Sequence, residues 1–132
     1  MATHHVISPL AGQELGGPKS DFVIAEWRDA GDSAWEWIAP LHVHHADDEA
    51  WYVLDGVLRF RLSDAIFEAG PGAAVFAPKG TPHAYGNARP GHPARYLLVM
   101  TPKIRSLVQA LHKPRAGEYA AIFRAHDSEL LS

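Results

Sequence analysis

Apolar and polar residues alternate along most of the chain between residues 22 and 101. The alternating stretches are short and are separated by turn sequences such as Gly70-Pro71-Gly72. A period of two residues is typical of β-strands with one buried face, and regular Gly/Pro turns are typical of sandwiches and barrels. The pattern predicts strands at residues 22–27, 35–44, 49–54, 57–62, 65–68, 73–77, 83–87 and 95–101.

The dipeptide Asp55-Gly56 lies between two of the predicted strands. Asp-Gly between alternating segments is a strong signal for a two-residue hairpin turn, since both residues tolerate the positive φ that such a turn needs. We therefore expect strands 49–54 and 57–62 to form an antiparallel hairpin.

The period of the apolar residues changes after residue 101. Thr101-Pro102 provides a helix N-cap followed by a proline at the first helical position. Apolar residues then recur along one helical face, at Ile104, Leu107, Val108 and Leu111, and again at Tyr119, Ile122 and Phe123. This spacing predicts two short helices at the end of an otherwise all-β chain.

The length of 132 residues suits a single domain. We expect an N-terminal arm at residues 1–21, a β-barrel at 22–101 and a helical extension at 102–132. The arm is too rich in glycine and proline to fold alone, and a helix with one apolar stripe has to bury it. We therefore expect a homodimer in which the arm or the helices contribute to the contact.

Composition and charge narrow the classes of partner. Hydrophobic residues make up 47% of the chain and charged residues 20%, which is typical of a globular domain. The formal charge of -3 provides no basic stripe, so a nucleic-acid partner is not expected. No apolar run is long enough for a membrane span, and residues 1–5 lack a signal-peptide pattern. A cytoplasmic location with no membrane partner is the expectation.

Histidine is abundant, with nine residues, and cysteine is absent, so a metal site has to rely on imidazole and carboxylate ligands. His42 and His44 share one face of a predicted strand, whereas His45 points to the other. Glu49 begins the next strand, and His83 lies on a distant one. Such ligands suit Fe, Mn, Ni, Zn or Cu. The pair of His42 and His44 alone is a weak signal, since surface or hydrogen-bonded core histidines give the same pattern.

Several other residues on these strands suit either a barrel core or a pocket wall. A core role is expected for the apolar set that consists of Trp51, Val53, Leu58, Phe60 and Leu62. Tyr85 shares the face of His83, so its hydroxyl either contacts a bound ligand or lies in water at the barrel mouth. The histidines without convergent partners in the sequence are His4, His5, His45, His92, His112 and His126.

Two linked motifs in the chain resemble those of the cupin superfamily. The first motif consists of His42, His44, Glu49 and Gly56. The second consists of Gly72, Pro78, Gly80, His83 and Asn87, and it meets every spacing of the family pattern. The resemblance covers residues 22–101. One departure is Glu36, which stands where the family has a glycine at a turn, and this departure is not at a ligand position of the family.

The resemblance implies a single cupin, jelly-roll-like β-barrel that holds one divalent metal ion per chain. Carried over to this sequence, the family's metal ligands are His42, His44, Glu49 and His83. Asn87 matches a position that is usually structural. The identity of the ion is left open among Fe, Mn, Ni, Zn and Cu. Quercetin-dioxygenase-like proteins are the most familiar parallel among small single-domain cupins.

Cupins have many functions, so three hypotheses stay open. The first is a dioxygenase-like oxidoreductase for a small apolar or aromatic molecule, in which Glu49 also acts as a base and Tyr85 as a hydrogen-bond or proton donor. The second is an isomerase, epimerase or cyclase that uses the ion as a Lewis acid. The third is a non-catalytic module that binds a small-molecule ligand. The inward residues are apolar and aromatic, which favours an apolar substrate over a sugar phosphate.

Overall fold

The computed structural model describes residues 5–31, 37–112 and 118–131. Within these residues the chain forms ten strands and two helices. In chain order they are β1 (Glu14–Leu15), β2 (Val23–Asp29), β3 (Trp37–His44), β4 (Glu49–Asp55), β5 (Leu58–Leu62), β6 (Ala65–Ala69), β7 (Ala74–Ala77), β8 (His83–Asn87), β9 (Ala94–Met100), α1 (Pro102–Leu111), α2 (Tyr119–Arg124) and β10 (Ser128–Leu130).

The described strands form two five-stranded sheets in which all paired neighbours are antiparallel. The first sheet has the order β1-β2-β9-β4-β7, and the second has the order β10-β3-β8-β5-β6. Inward side chains of the two sheets pack on each other, since Trp51 of β4 lies edge-on to Phe60 of β5 with ring centroids 5.2 Å apart. The predicted all-β, jelly-roll-like barrel with two short C-terminal helices is confirmed.

The predicted hairpin at Asp55-Gly56 is wrong. β4 lies in the first sheet between β9 and β7, whereas β5 lies in the second sheet between β8 and β6. The turn therefore carries the chain from one sheet to the other. Gly56 has a φ of +77°, and a Cβ there would meet the Pro93 carbonyl oxygen at 2.5 Å, so this close approach requires glycine.

The other predicted strands are confirmed to within two residues at their described ends. Residues 35 and 36 of the predicted strand 35–44 lie outside the described residues, as does His4. Two observed strands are not predicted. They are β1, which pairs with β2, and β10, which pairs with β3. With two and three residues, both are too short for alternation to reveal them.

The residues predicted to fill the barrel do so. Trp51, Val53, Leu58 and Phe60 are each at most 1% exposed, and Leu62 packs against them while partly buried. Full burial of a side chain of this size contributes about 1.5–3 kcal/mol. These residues form the rigid interior against which the strands that carry polar groups are held.

The two helices bury their apolar stripes against their own barrel. The Thr101 hydroxyl accepts a hydrogen bond from the Ile104 amide at 3.2 Å, which caps α1. Ile104 and Leu107 are each 2% exposed, and Phe123 of α2 is 4% exposed. The apolar faces of the helices therefore need no second chain for their burial. Of the two reasons to expect a dimer, the helices and the N-terminal arm, only the arm remains. No described helix has the length and apolar character needed to cross a membrane.

The outer face of the first sheet carries exposed apolar side chains. Tyr52 of β4 and Phe76 of β7 are 42% and 57% exposed, and Phe22, just before β2, is 56% exposed. Tyr52 lies opposite Ala74, two residues from Phe76, so the two rings stand on the same face of neighbouring strands. Phe22, Tyr52 and Phe76 are called the outer patch below.

Candidate metal centre

The four side chains predicted as metal ligands, His42, His44, Glu49 and His83, converge inside the barrel. One ligand atom from each lies within 4.8 Å of the ligand atoms of the others. All four residues are buried, with exposed fractions between 2% and 5%. The predicted convergence of these residues is what the structure shows, while the binding of an ion by them remains a prediction.

Both sheets contribute to this cluster. His42 and His44 leave the same face of β3, and the pairing of β3 with β8 places His42 opposite His83. Glu49 is the first residue of β4, in the other sheet. His45 has the opposite parity and is exposed, as predicted. The cluster therefore bridges the two sheets.

Two of the three imidazoles are anchored by main-chain carbonyls. Nδ1 of His42 lies 2.6 Å from the carbonyl oxygen of Pro40, and Nδ1 of His83 lies 2.8 Å from that of Thr81. A carbonyl oxygen only accepts hydrogen bonds, so Nδ1 carries the proton in both rings and donates it. When these rings are neutral, Nε2 holds a lone pair that is directed at the cluster. Metal-binding histidines typically use their second nitrogen in this way.

The third imidazole is anchored by a side chain of the C-terminal strand. Nδ1 of His44 lies 2.7 Å from Oγ of Ser128 in β10. Nε2 of His44 is buried without a hydrogen-bond partner, although Oε1 of Glu49 lies 3.2 Å away. A buried polar atom without a partner is costly, so the position of this Nε2 indicates that it binds a further group.

Lone pairs and negative charge face one another in the cluster. Oε1 of Glu49 lies 3.1 Å from Nε2 of His83 and 3.2 Å from Nε2 of His44. Electron-rich atoms at this spacing repel each other in a buried site unless a cation lies between them. A proton satisfies one pair of atoms, whereas a divalent metal ion satisfies all four ligand atoms together. The residues present therefore fit a metal ion of the group Fe, Mn, Ni, Zn and Cu.

The pKa values of His42 and Glu49 are both lowered in the cluster, and this favours the protonation states that metal binding needs. Burial, and after it the neighbouring His83 and His44, lowers the pKa of His42 from 6.5 to about 3. For Glu49 burial acts to raise the pKa, but the adjacent imidazoles of His44 and His83, in the form that carries a proton at Nε2, outweigh it and lower the pKa from 4.5 to about 2. At neutral pH His42 is therefore an uncharged ring and Glu49 a carboxylate. Both residues have the protonation state of a metal ligand.

A cavity of about 660 Å³ lies beside the cluster, between the barrel and the helices. Barrel strands and both helices contribute apolar and aromatic side chains to its wall, among them Trp27, Trp37, Leu98, Leu107, Leu111 and Phe123. The wall residues with an imidazole, carboxylate or hydroxyl group in the described part of the chain are His42, His44, Glu49, Tyr85, His112 and Tyr119. No lysine or arginine lines the cavity among the described residues.

Tyr85 lines this cavity and is 4% exposed. Its hydroxyl lies 3.0 Å from the hydroxyl of Tyr96, and burial, followed by the effect of Tyr96, raises the pKa of Tyr85 well above its ordinary value. Two phenols that share one hydrogen bond carry two protons, so one hydroxyl hydrogen is left to donate elsewhere. Tyr85 is therefore a neutral phenol at the cavity wall. A hydroxyl in open water at the barrel mouth is not what the structure shows.

Sequence reasoning missed the part of the site that lies beyond residue 101. His112, which has no convergent partner in the sequence, lies at the end of α1 beside Trp27, with ring centroids 5.9 Å apart. Both rings line the cavity. Ser128 belongs to a strand too short to predict. The apolar face of each predicted helix is the sequence signal that points to this part of the site, because such a face has to pack on some part of the barrel to leave water.

Asn87, the last residue of the second motif, has a structural role. Its Nδ2 donates to Oδ2 of Asp29 at 3.0 Å and to the His92 carbonyl oxygen at 2.7 Å. Its Oδ1 accepts from the Arg89 amide at 2.8 Å. The side chain thus ties the loop after β8 to the end of β2 and does not contact the ligand cluster.

Comparisons with known proteins agree with this fold. A family model described as the cupin domain matches residues 35–100, which is half of the chain. None of the curated proteins matches the chain. Among solved structures, a protein from Thermus thermophilus is similar with a TM-score of 0.53 and 29% identity, over 64% of this chain and 76% of the other.

Two further similar structures have functional descriptions. A sugar phosphate isomerase of the cupin superfamily from Silicibacter pomeroyi has a TM-score of 0.53 and 27% identity, over 62% of this chain and 51% of the other. The polyketide cyclase RemF from Streptomyces resistomycificus has a TM-score of 0.50 and 32% identity, over 63% of this chain and 56% of the other. The chain thus spans little more than half the length of these two proteins.

We expect the full chain to bind one divalent transition metal ion and to lose it when one ligand is removed. His44→Ala deletes a member of the cluster, so elemental analysis after reconstitution should show well below one equivalent of metal. His45→Ala changes the exposed neighbouring imidazole and should retain one equivalent. Equal metal content in the wild type and in His44→Ala contradicts the assignment.

We also expect the metal-free protein to lose stability as the pH falls from 6.5 toward 3, because the unfolded chain takes up a proton at His42 that the folded ring does not. For this one group the loss is on the order of a few kcal/mol. Glu49 acts in the same direction below pH 4.5. Urea midpoints at several pH values measure the slope. His42→Phe should flatten it and His45→Phe should not, and parallel slopes in all three proteins contradict the expectation.

Proposed function

The chain belongs to the cupin family, and we propose that it is a metal-dependent enzyme that transforms a small apolar or aromatic molecule. The observation that carries this proposal is a buried cluster of three imidazoles and one carboxylate, of which His42, His44 and Glu49 line a largely apolar cavity. Four protein ligands leave at least one position for substrate or water on metals that accept five or six ligands. The cavity gives a small molecule access to that position.

A transition metal ion held by the cluster supplies Lewis acidity and, where it is redox-active, a binding place for oxygen. The chain itself keeps His42 neutral and Glu49 ionised at neutral pH, and it buries all four residues of the cluster. Hydrogen bonds at Nδ1 fix the orientation of each of the three rings. The apolar wall lowers the local dielectric constant, so attraction between charges inside the cavity is stronger than in water.

The cavity wall limits the class of substrate. Its volume of about 660 Å³ falls in the range of small-molecule sites. Trp27, Trp37 and Phe123 offer ring faces and edges for an aromatic or apolar body. The described wall has no lysine or arginine to neutralise a phosphate, which argues against a sugar phosphate, the substrate class named for one similar structure. The favoured substrate has an apolar body and one or two oxygen atoms that the metal can bind.

Tyr85 and Glu49 are the proposed catalytic residues. Tyr85 donates a hydrogen bond to a substrate oxygen, because its neutral hydroxyl lies at the cavity wall. Glu49 is a carboxylate whose pKa is lowered to about 2, which suits a ligand and makes it a weak base. A role of Glu49 as general base requires a pKa nearer to neutral, and therefore weaker contact with His44 and His83 in the substrate complex.

For the reaction we propose dioxygenase-like chemistry on a phenolic or enolisable substrate. A second candidate is a cyclisation or isomerisation in which the metal acts only as a Lewis acid. The observation that supports it is the 32% identity to a polyketide cyclase. Both candidates place the same substrate oxygen near Tyr85, and they differ in whether molecular oxygen is consumed.

The choice of metal separates these two reactions. Metal-free protein is reconstituted with Fe(II), Mn(II), Ni(II) or Zn(II), and oxygen uptake is measured with a panel of polyphenols. Dioxygenase chemistry should give uptake with Fe(II), Mn(II) or Ni(II) and none with Zn(II). Conversion under argon with Zn(II) supports the second candidate instead. Compounds that raise the melting temperature without being consumed under any of these conditions indicate a binding module and sink the enzyme proposal.

Tyr85→Phe should lower kcat/KM by roughly 100-fold, because it removes a donor to oxygen that gains charge in the transition state. Metal content should stay at the wild-type level, since Tyr85 is not a member of the cluster. Tyr52→Phe makes the same chemical change on the exposed outer patch and should leave both quantities unaltered. Unchanged activity in Tyr85→Phe removes Tyr85 from the catalytic residues.

We further propose a homodimer that uses the outer patch. Apolar side chains that stand together on a sheet face are a common basis for self-association. β1 of the N-terminal arm lies at the opposite edge of the same sheet from β7. The arm is therefore near Phe22 at the start of β2 and away from Phe76. The helices, which bury their stripes on their own barrel, are left out of the contact.

Phe76→Asp should therefore shift the mass in light scattering from dimer to monomer, because it places a charge in the proposed apolar contact. Ile66→Asp is the matched control, since Ile66 is 64% exposed and lies in β6 of the second sheet. It should leave the mass unchanged. A monomeric wild type at working concentrations refutes the dimer.

A further inference from the structure

Ser128 differs from the other groups that anchor the three imidazoles. Pro40 and Thr81 each lie two residues before the histidine whose Nδ1 they hold, so these anchors arise within single chain segments. Ser128 lies 84 residues beyond His44 in the chain and reaches it from another strand. The orientation of His44 therefore depends on β10 near the C-terminus, whereas the orientations of His42 and His83 do not.

The hydroxyl of Ser128 has a defined donor and acceptor role. Oγ donates its hydrogen to the His126 carbonyl oxygen at 3.0 Å. Because that hydrogen is used, Oγ meets Nδ1 of His44 as an acceptor, at 2.7 Å. Nδ1 then carries the ring proton, and the lone pair of Nε2 faces the cluster. Ser128 and His44 are each 3% exposed, so bulk water cannot take over the role of the hydroxyl.

The short strand β10 brings Ser128 to this place. Its register with β3 sets Ser128 directly opposite His44. Main-chain hydrogen bonds flank this pair, since the Leu131 amide donates to the Leu41 carbonyl oxygen at 2.9 Å and the His45 amide donates to the residue before β10 at 2.8 Å. These two amides report directly on whether β10 is docked.

β10 is held by fewer interactions than the strands beside it. It has three residues and lies at the edge of the second sheet. Short edge strands open more readily than central strands. Upstream of it, Phe123 of α2 lies beside the His42 ring, with centroids 5.4 Å apart, and also lines the cavity. Residues 118–131, called the C-terminal segment here, thus contact two of the four ligands.

We propose that Ser128 is a positioning residue for the metal ligand His44, and that docking of the C-terminal segment and metal binding stabilise each other. The inference rests on the proposed metal site. A metal ion that favours the ring orientation held by Ser128 also favours docked β10, because coupling between two equilibria is reciprocal. Loss of a hydrogen-bond partner of this kind lowers metal affinity roughly 10- to 100-fold.

Titration of the full chain with Co(II) tests this role, because the visible absorption of Co(II) reports both occupancy and ligand geometry. Ser128→Ala should weaken Co(II) binding roughly 10- to 100-fold and alter the spectrum of the saturated protein. Ser128→Thr keeps the hydroxyl and should restore both. Glu129→Ala changes the exposed next residue of the same strand and should behave as the wild type. A purely structural role of Ser128 lowers stability but leaves the saturated spectrum unchanged.

Hydrogen exchange of the wild-type chain supplies a second measurement that needs no variant. The amides of Leu131 and His45 should exchange more slowly when Co(II) is bound. The Gly91 amide, which donates to the Gly31 carbonyl oxygen at 2.8 Å in a loop outside the cluster, is the internal control and should not change.

Equal Co(II) affinity and equal saturated spectra for the wild type and Ser128→Ala overturn the inference. Unchanged exchange at Leu131 and His45 on Co(II) binding overturns it as well, even where Ser128→Ala fails to fold. A wild-type chain that binds no Co(II) overturns the proposed metal site together with the inference. That outcome is distinguishable from the others, because the wild-type protein itself then fails to bind Co(II).

Discussion

With all three rings neutral, repulsion between their Nε2 lone pairs and the Glu49 carboxylate is the constraint on which the rest of the site depends. Three Nε2 atoms and the carboxylate of Glu49 share a buried space, and Oε1 of Glu49 lies within 3.2 Å of two of the rings. The rings cannot turn to relieve this contact without breaking the hydrogen bonds at Nδ1. Interactions outside the cluster thus hold the ligands in an arrangement that is favourable only around a cation.

The C-terminal helices make this buried cluster useful for binding a small molecule. Leu107 of α1 and Phe123 of α2 close the space beside the ligands, so a molecule there contacts both the barrel and the helices. The ligands are common to the motifs of the family, whereas the wall is built by residues outside those motifs. In the proposed function, the residues that would select the substrate therefore lie largely outside the motifs that would hold the metal.

The sequence predicts those parts of the fold and the site that depend on local spacing. A period of two residues predicts the buried apolar strands, the shared face of His42 and His44 and the outward direction of His45. All of these are observed. The choice of strand partners depends instead on packing between segments far apart along the chain. Asp55-Gly56 indicates a tight turn correctly, yet the strand after the turn joins the other sheet. Ser128 has no periodic neighbours, and its importance comes only from its position opposite His44.

The bridging of both sheets by the four-residue cluster also constrains when the proposed metal site forms during folding. His42 and His83 meet when β3 and β8 pair, and Glu49 joins them only when the first sheet has packed on the second. Such pairings close long loops and form slowly compared with helices and hairpins. A chain that has emerged only as far as β7 contains His42, His44 and Glu49 but lacks His83, and β10 is made later still. Assembly of all four residues of the proposed metal site is thus a late event in folding, and an ion that needs all four would bind only after it.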